Sequence, residues 1–371
     1  MTDEGALEVV LGVDGGRVAS VQLTSTRRTD FSKLLVGLPV DAALRLVPSL
    51  FSICASAQAV AGLGACEVAL GLEADPGNRA LRRALAALEG LENHAFQFFV
   101  EWPRLHGAGP EAASFRAWRA ASEGVRRALV GGVAWAVPGG VTLPPAEVPL
   151  LALAEAVAAF APAAALEDEA AARAWAAGQA SLRAAGEAVA LGLAPTRTPL
   201  LPVEDGAWFL QRLGTPGFSA RPTLDGQPAE SGALALVANS PLAQGLLRTE
   251  GRGGLTRFLA RLLDVHRLLA VVAAAVPLVG GARAHPAARR SDGAGAGVAD
   301  TSRGRLAHAV EVEGGRVSAW RTVAPTEWSF HPQGVLAEAL LGLEAAAALR
   351  AAPYLVAALD PCVACRVRLE S

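Results

Sequence analysis

Two similar segments near opposite ends of the chain constrain its fold most. Residues 7–23, LEVVLGVDGGRVASVQL, and residues 308–323, HAVEVEGGRVSAWRTV, alternate apolar and polar side chains on both sides of a Gly-Gly pair. This alternation around a glycine-containing turn is typical of a β-hairpin. We expect the two hairpins to lie in one sheet that brings the chain ends together, although a coincidence of turn residues would give the same pattern.

Most of the remaining sequence is typical of helix. Asp75 and Pro76 form an N-cap and first-turn pair, and they predict a long helix from Gly77 to about Trp102. Further helical patterns follow Pro110, cover residues 167–193, begin at Leu255 and cover residues 334–352. The sequence therefore predicts a mostly α fold with small β-sheets, of the α+β class, and 371 residues are enough for one large domain.

Charge and hydropathy exclude several classes of protein. The net charge is −2 and the pI is near 6.3, which disfavours an electrostatic interface with nucleic acid. The most apolar run, residues 268–281, is shorter than the ~20 residues that a spanning helix needs, and Pro277 interrupts it. The first residues carry no secretory pattern, and four cysteines do not make a disulfide framework. We expect a cytoplasmic protein without membrane insertion.

A C-x-x-C pair, Cys362 and Cys365, lies close to the last residue. A zinc site would need four ligands, and Cys54 and Cys66 do not have the spacing of a second pair. A thioredoxin-type pair would need a helix after it. Two incidental thiols are the remaining reading, and the pair by itself leaves these alternatives open.

Two cysteine motifs resemble the large subunit of nickel–iron hydrogenases. That family has R-x-C-G-x-C-x-x-x-H near its N-terminus, and Cys54 matches the second cysteine of the motif, while Phe51 stands at the first cysteine and Gln58 at the histidine. It also has D-P-C-x-x-C-x-x-H near its C-terminus, which residues 360–368 match with Cys362 and Cys365 but with Arg368 in place of the histidine. Residues 225–235 and 302–334 are similar to further large-subunit segments.

The resemblance implies a ligand set. In large subunits the second cysteine of each motif bridges nickel and iron, and the first of each binds nickel alone. This chain would keep the bridging pair, Cys54 and Cys365, with Cys362 as a third ligand or a transfer group. No nickel is expected, because the phenyl ring of Phe51 cannot coordinate a metal.

The resemblance also implies residues around the iron. Iron in the family carries cyanide and carbon monoxide, and the residues that match its cyanide hydrogen-bond donors are Arg303 and Thr326. Glu4 matches a proton-transferring glutamate and would lie beside the site with Phe51 and Gln58.

The combination of kept and lost residues is similar to the HupK-type hydrogenase expression and formation proteins. This implies a reduced large-subunit fold in which the N- and C-terminal segments meet at the cysteines. It implies a non-enzymatic scaffold that holds or assembles an Fe(CN)₂CO unit, with an iron-delivering chaperone and a hydrogenase large subunit as partners. The alternative is a degenerate paralogue that stabilises or regulates a hydrogenase without binding metal.

Within one domain over residues 1–371, the resemblance separates three parts. Residues 1–104 would contain the first hairpin, the first cysteine segment and a long helix. Residues 105–215 would be a divergent helical middle, and residues 216–371 would contain the second motif. The Gly- and Ala-rich residues 281–302 predict a flexible loop.

Overall fold

Helices and two small sheets make up the fold, which confirms the α+β prediction. The computed structural model describes residues 5–27, 30–143, 147–179, 182, 196–281, 283 and 292–370. Within these residues, the α-helices are α1 Val40–Leu46, α2 Ala55–Ala69, α3 Pro76–Phe96, α4 Trp102–Leu105, α5 Ala112–Val130, α6 Leu150–Ala158, α7 Glu169–Gly178, α8 Gly206–Leu213, α9 Ala233–Val237, α10 Pro241–Thr249, α11 Gly254–Val279, α12 Pro325–Ser329, α13 Val335–Leu340 and α14 Ala345–Leu359. The strands are β1 Ala6–Asp14, β2 Arg17–Ser25, β3 Gly293–Thr301, β4 Gly304–Glu313, β5 Arg316–Val323 and β6 Ala364–Leu369.

The two predicted hairpins form, but they lie in different sheets. One sheet has the order β2-β1-β6 and the other has the order β3-β4-β5. The expectation of a single shared sheet is therefore wrong, because the first hairpin adds β6 and the second adds β3 as its third strand. The chain ends still meet, because β6 pairs in parallel with β1 and places Cys365 opposite Leu7.

The predicted loop over residues 281–302 is wrong where the structure describes a strand. Strand β3 covers Gly293–Thr301, and its glycines reflect close packing against α2 rather than flexibility. A Cβ atom on Gly297 would lie 2.2 Å from the carbonyl oxygen of Ala61, and one on Gly295 would lie 2.4 Å from that of Ala65. Residues 282 and 284–291 lie outside the described residues.

The predicted helices differ from the observed ones mainly at their ends. The long helix begins at Pro76, where the Asp75 carboxylate accepts a hydrogen bond from the Gly77 amide at 2.7 Å, and a π-helical turn at Gln97–Glu101 continues it. The pattern over residues 334–352 forms two helices, α13 and α14, because Gly342 adopts a φ of +81° between them. Of the predicted helix over residues 167–193, the structure describes α7, whereas residues 180, 181 and 183–193 lie outside the described residues.

Helix α11 begins well before the apolar run of residues 268–281, and the expectation that Pro277 interrupts this run is wrong. It has 26 residues, includes Pro277, and is long and apolar enough to cross a membrane by length and composition. It packs along α3 in the main hydrophobic core, and its arginines Arg257 and Arg261 pair with carboxylates inside the protein. These contacts are those of a core helix and are consistent with a soluble protein.

Candidate metal centre

Cys54 occupies the N-cap of α2. The start of this helix is fixed from α3, where the Glu89 carboxylate accepts hydrogen bonds from the amides of Ser56 at 2.7 Å and Ala57 at 3.0 Å. The other face of α2 packs on the glycines of β3. Glu89 therefore holds the first turn of α2, and with it the position of Cys54, while β3 packs against the later turns.

Cys362 follows a sharp turn at the end of α14. Asp360 ends that helix with a φ of +53°, a conformation that Asp tolerates better than most residues. Its buried carboxylate accepts hydrogen bonds from Gln97 at 2.8 Å, Arg261 at 3.1 Å and Arg303 at 3.2 Å. These contacts fix the direction in which the chain leaves the helix and enters the second cysteine motif.

Thr326, in helix α12, contacts Cys362 directly. Its hydroxyl donates to the Cys362 sulfur at 3.2 Å and accepts from the Cys362 amide at 3.2 Å. The sulfur and the amide of Cys362 are thus both bound to one side chain.

The thiols of Cys54 and Cys362 lie close enough to interact electrostatically, and both side chains are largely buried. Burial raises the pKa of Cys54 to about 12, and the charges of Cys362 and Glu89 raise it further. Burial also raises the pKa of Cys362, while Arg27 and the hydrogen bond from Thr326 oppose that rise. Both groups are neutral thiols near pH 7, so a metal that binds them would displace their protons.

Two guanidinium groups lie beside these thiols. Burial opposes the charge of Arg303, but Asp360 and the two cysteines raise its pKa. Burial likewise opposes the charge of Arg27, but Glu327 and the same two cysteines raise its pKa. Arg303 is in the β3–β4 turn, and its Nε atom has no hydrogen-bond partner among the described residues. Arg27 forms a short ion pair with Glu327, and both of those side chains are slightly exposed.

Phe51 and Gln58 also lie near Cys54. The ring of Phe51 packs edge-on against Phe31 with centroids 4.9 Å apart. Phe51, Gln58, Arg27 and Glu327 line a cavity of about 20 Å³. Glu4 lies outside the described residues.

The charges of Cys54 and Cys362 do not contribute to the pKa of Cys365. Cys365 lies in β6, packs among apolar side chains of the first sheet, and has its pKa raised to about 11 by burial alone. Among the described residues, no group of three or more His, Cys, Asp or Glu side chains has an arrangement that could hold a metal ion. The structure thus brings Cys54 together with Cys362, whereas the sequence motif favoured Cys54 with Cys365. Cys66 is a buried residue of the core beneath α2.

Sequence reasoning missed four residues of this site. Glu89 caps the helix of Cys54, Arg27 and Glu327 form the ion pair, and Asp360 orients Arg303. Asp360 had a local indication, because it precedes Pro361 in the second motif. Arg27 and Glu327 had none, since 300 residues separate them.

Comparisons with known proteins agree with this geometry at the level of family and fold. The family model described as nickel-dependent hydrogenase matches residues 219–368. The chain is 31% identical to the hydrogenase expression/formation protein HupK of Azotobacter vinelandii, over 98% of each chain. It is 30% identical to the protein of the same name from Bradyrhizobium diazoefficiens, over 96% of this chain and 94% of the relative.

Solved hydrogenases share the fold. The Ni-Fe-Se hydrogenase of D. vulgaris Hildenborough aligns with a TM-score of 0.67 at 18% identity, over 94% of both chains. An NAD⁺-reducing [NiFe]-hydrogenase aligns with a TM-score of 0.68 at 19% identity, over 94% of this chain and 93% of the other. At these identities the likeness concerns the fold, which is that of a hydrogenase large subunit.

Proposed function

This chain belongs to the HupK family of hydrogenase expression and formation proteins, and on that premise we propose that it holds an Fe(CN)₂CO unit before the unit passes to a hydrogenase large subunit. The iron unit is cargo and not a resident cofactor. The role is that of a scaffold without catalytic turnover, in the cytoplasm.

The meeting of Cys54 and Cys362 beside two arginines carries the proposal. The sulfurs come from opposite ends of the chain, and low-spin iron with cyanide and carbon monoxide is soft enough to suit thiolates. Arg303 and Arg27 supply positive charge that offsets the charge of two thiolates and two cyanides. We therefore propose Cys54 and Cys362 as the first ligands, with Cys365 as a third whose participation requires a separate test.

The donors at the site suit cyanide. The Nε–H group of Arg303 is buried and has no partner among the described residues, so it is available to a ligand nitrogen. Thr326 carries a hydroxyl that can rotate from the Cys362 sulfur toward the cargo. The cavity that Phe51, Gln58 and Arg27 line, at about 20 Å³, has room for roughly one water molecule, so loading requires side chains at the site to move.

Phe51 supports transfer of the unit without nickel. Its ring occupies the motif position where large subunits have a nickel-binding cysteine, and it packs against Phe31. An iron unit held by two sulfurs, without a second metal to bridge, would leave by exchange of those two bonds. The proposed partners are accordingly a small chaperone that delivers the iron unit and the large subunit that receives it.

Infrared spectroscopy tests the proposal. We expect cyanide and carbonyl bands without nickel in protein purified anaerobically after co-production with the hydrogenase maturation proteins. Cys54→Ala and Cys362→Ala should each abolish the bands, whereas the matched control Cys66→Ala, at a core thiol, should retain them.

The variant Cys365→Ala separates two versions of the site. Retained bands mean that the pair Cys54 and Cys362 is sufficient, and lost bands mean that the pairing implied by the sequence motif operates in the loaded protein. If the wild-type protein shows no bands at all, the iron-holding proposal is wrong. The absence of a three-ligand group among the described residues then favours a paralogue that stabilises or regulates a hydrogenase without metal.

A further inference from the structure

Three buried side chains between α2 and the second sheet form a line of hydrogen bonds that ends at Cys54. Trp320 Nε1 lies 2.9 Å from His308 Nδ1, and His308 Nε2 lies 2.6 Å from Gln58 Oε1. Gln58 Nε2 in turn lies 3.5 Å from the Cys54 sulfur. Gln58, His308 and Trp320 are at most 3% exposed, so water cannot replace a missing partner.

Trp320 determines which atoms donate and which accept along this line of hydrogen bonds. An indole nitrogen can only donate, so Nδ1 of His308 must accept and carries no proton. Burial lowers the pKa of His308 to about 3, and its ring is therefore neutral near pH 7. A neutral imidazole has one N–H group, which must then be at Nε2.

The proton on Nε2 of His308 then fixes the orientation of the Gln58 amide. The Nε2–H group of His308 donates, so the atom of Gln58 that faces it is the carbonyl oxygen and the NH₂ group faces the sulfur. A flipped amide would oppose two donors and leave both unsatisfied. Gly62, one turn further along α2, lets the Trp320 ring pack close to this helix, because a Cβ atom there would lie 2.9 Å from the ring.

We propose that Gln58 donates a hydrogen bond to the Cys54 sulfur both before and after iron binds, and that His308 and Trp320 are positioning residues that hold its amide in this orientation. The inference rests on the proposed function and deepens it. A donor on a thiolate withdraws electron density from the sulfur and weakens its bond to the metal. The scaffold would thereby hold its cargo loosely enough to release it.

The sulfurs of Cys54 and Cys362 differ in how firmly their hydrogen-bond donors are held. Thr326 has one hydroxyl hydrogen, so it can donate either to Cys362 or to a ligand on the iron. The amide of Gln58 has no such choice, since its oxygen is bound to His308. Cys54 is the sulfur with a fixed donor, and Cys362 is the sulfur whose donor is free to leave.

Nitrogen NMR of the metal-free full-length protein tests the line without any iron. We expect His308 to carry its proton on Nε2, with Nδ1 unprotonated. Trp320→Phe should move the two ring-nitrogen shifts toward each other, because both tautomers become populated. The control Trp208→Phe, in a separate aromatic cluster with Phe218 and Trp328, should leave them unchanged. A proton on Nδ1 in the wild-type protein overturns the inference, and this measurement needs no variant to fold.

The loaded protein provides the second readout. Gln58→Met removes the donor at similar side-chain length, so the sulfur gives more charge to iron and the carbonyl stretch should move to lower wavenumber. The control Gln333→Met, at an exposed position, should not shift it. An unmoved band in Gln58→Met refutes the effect on the sulfur. If the wild type has no carbonyl band, the proposed function fails, and the NMR result alone decides the hydrogen-bond line.

Discussion

Removal of the charge of Asp360 should destabilise the whole protein and not only the cysteine site. Asp360 is 2% exposed and accepts hydrogen bonds from Gln97, Arg261 and Arg303. Asp360→Asn keeps an amide oxygen as acceptor, and Asn tolerates the positive φ of this position. The variant therefore removes the charge and, because both carboxylate oxygens accept hydrogen bonds, also turns an NH₂ group toward at least one of these donors.

The expected magnitude follows from the two guanidiniums that lose their counter-charge. Removing one partner of a buried ion pair costs about 3–5 kcal/mol, because the remaining charge stays buried without compensation. Burial already lowers the pKa of Arg261, and Asp360 is the main group that opposes this. We expect Asp360→Asn to lower the free energy of unfolding by about 3 kcal/mol or more, which is a large share of the roughly 5–15 kcal/mol of a native protein.

Urea denaturation followed by circular dichroism measures this loss as a lower midpoint at an unchanged slope. The matched control is Glu8→Gln, which breaks the ion pair with Arg368, where both side chains are about half exposed. Exposed pairs contribute about 0–1 kcal/mol, so the control should unfold nearly as the wild type does. A loss below about 1 kcal/mol in Asp360→Asn would refute the view that this carboxylate neutralises the buried arginines.

The remaining predictions concern helix α2 and His308. Gly297→Val should lower the melting temperature and reduce iron loading, because its Cβ atom would lie 2.2 Å from the Ala61 carbonyl oxygen and push α2 away from β3; the control Gly214→Ala, with open space around it, should change neither. An unchanged melting temperature in Gly297→Val would contradict the close packing. His308 has its pKa lowered from 6.5 to about 3, so its contribution is fully present above pH 6.5 and is lost as the pH falls toward 3. The free energy of unfolding should therefore fall by up to about 1.4 kcal/mol per pH unit in that interval, and urea titrations of His308→Gln should show a shallower fall. Equal slopes in the two proteins would mean that His308 is not buried as a neutral ring.

Local pattern was sufficient where a few neighbouring residues decide the structure. The alternation around Asp14-Gly15-Gly16 and around Glu313-Gly314-Gly315 predicted both hairpins, and the Asp75-Pro76 pair predicted the start of α3. The apolar spacing beyond Leu255 predicted α11. The motif residues Cys54, Cys362, Arg303 and Thr326 were also identified from sequence, and the structure brings these four side chains together.

Glycine content gave a wrong prediction at β3, because glycine occurs both in loops and where two backbones pack closely. Gly293–Gly297 was interpreted as loop because glycine is common in loops, but in β3 it provides room for the backbone of α2. A single sequence does not separate these causes, because the carbonyl groups that require the space belong to residues more than 200 positions away.

The sequence by itself determined the helices, the hairpins and the residue types that could bind iron, since these follow from side chains a few positions apart. Only the tertiary structure decided that Cys54 interacts electrostatically with Cys362, that Arg27 meets Glu327, and that the Gln58 amide turns its nitrogen toward sulfur. Each of these depends on how α2, α14 and the two sheets pack against one another. Pairing between distant segments depends on the shape of the whole core, which no local spacing encodes.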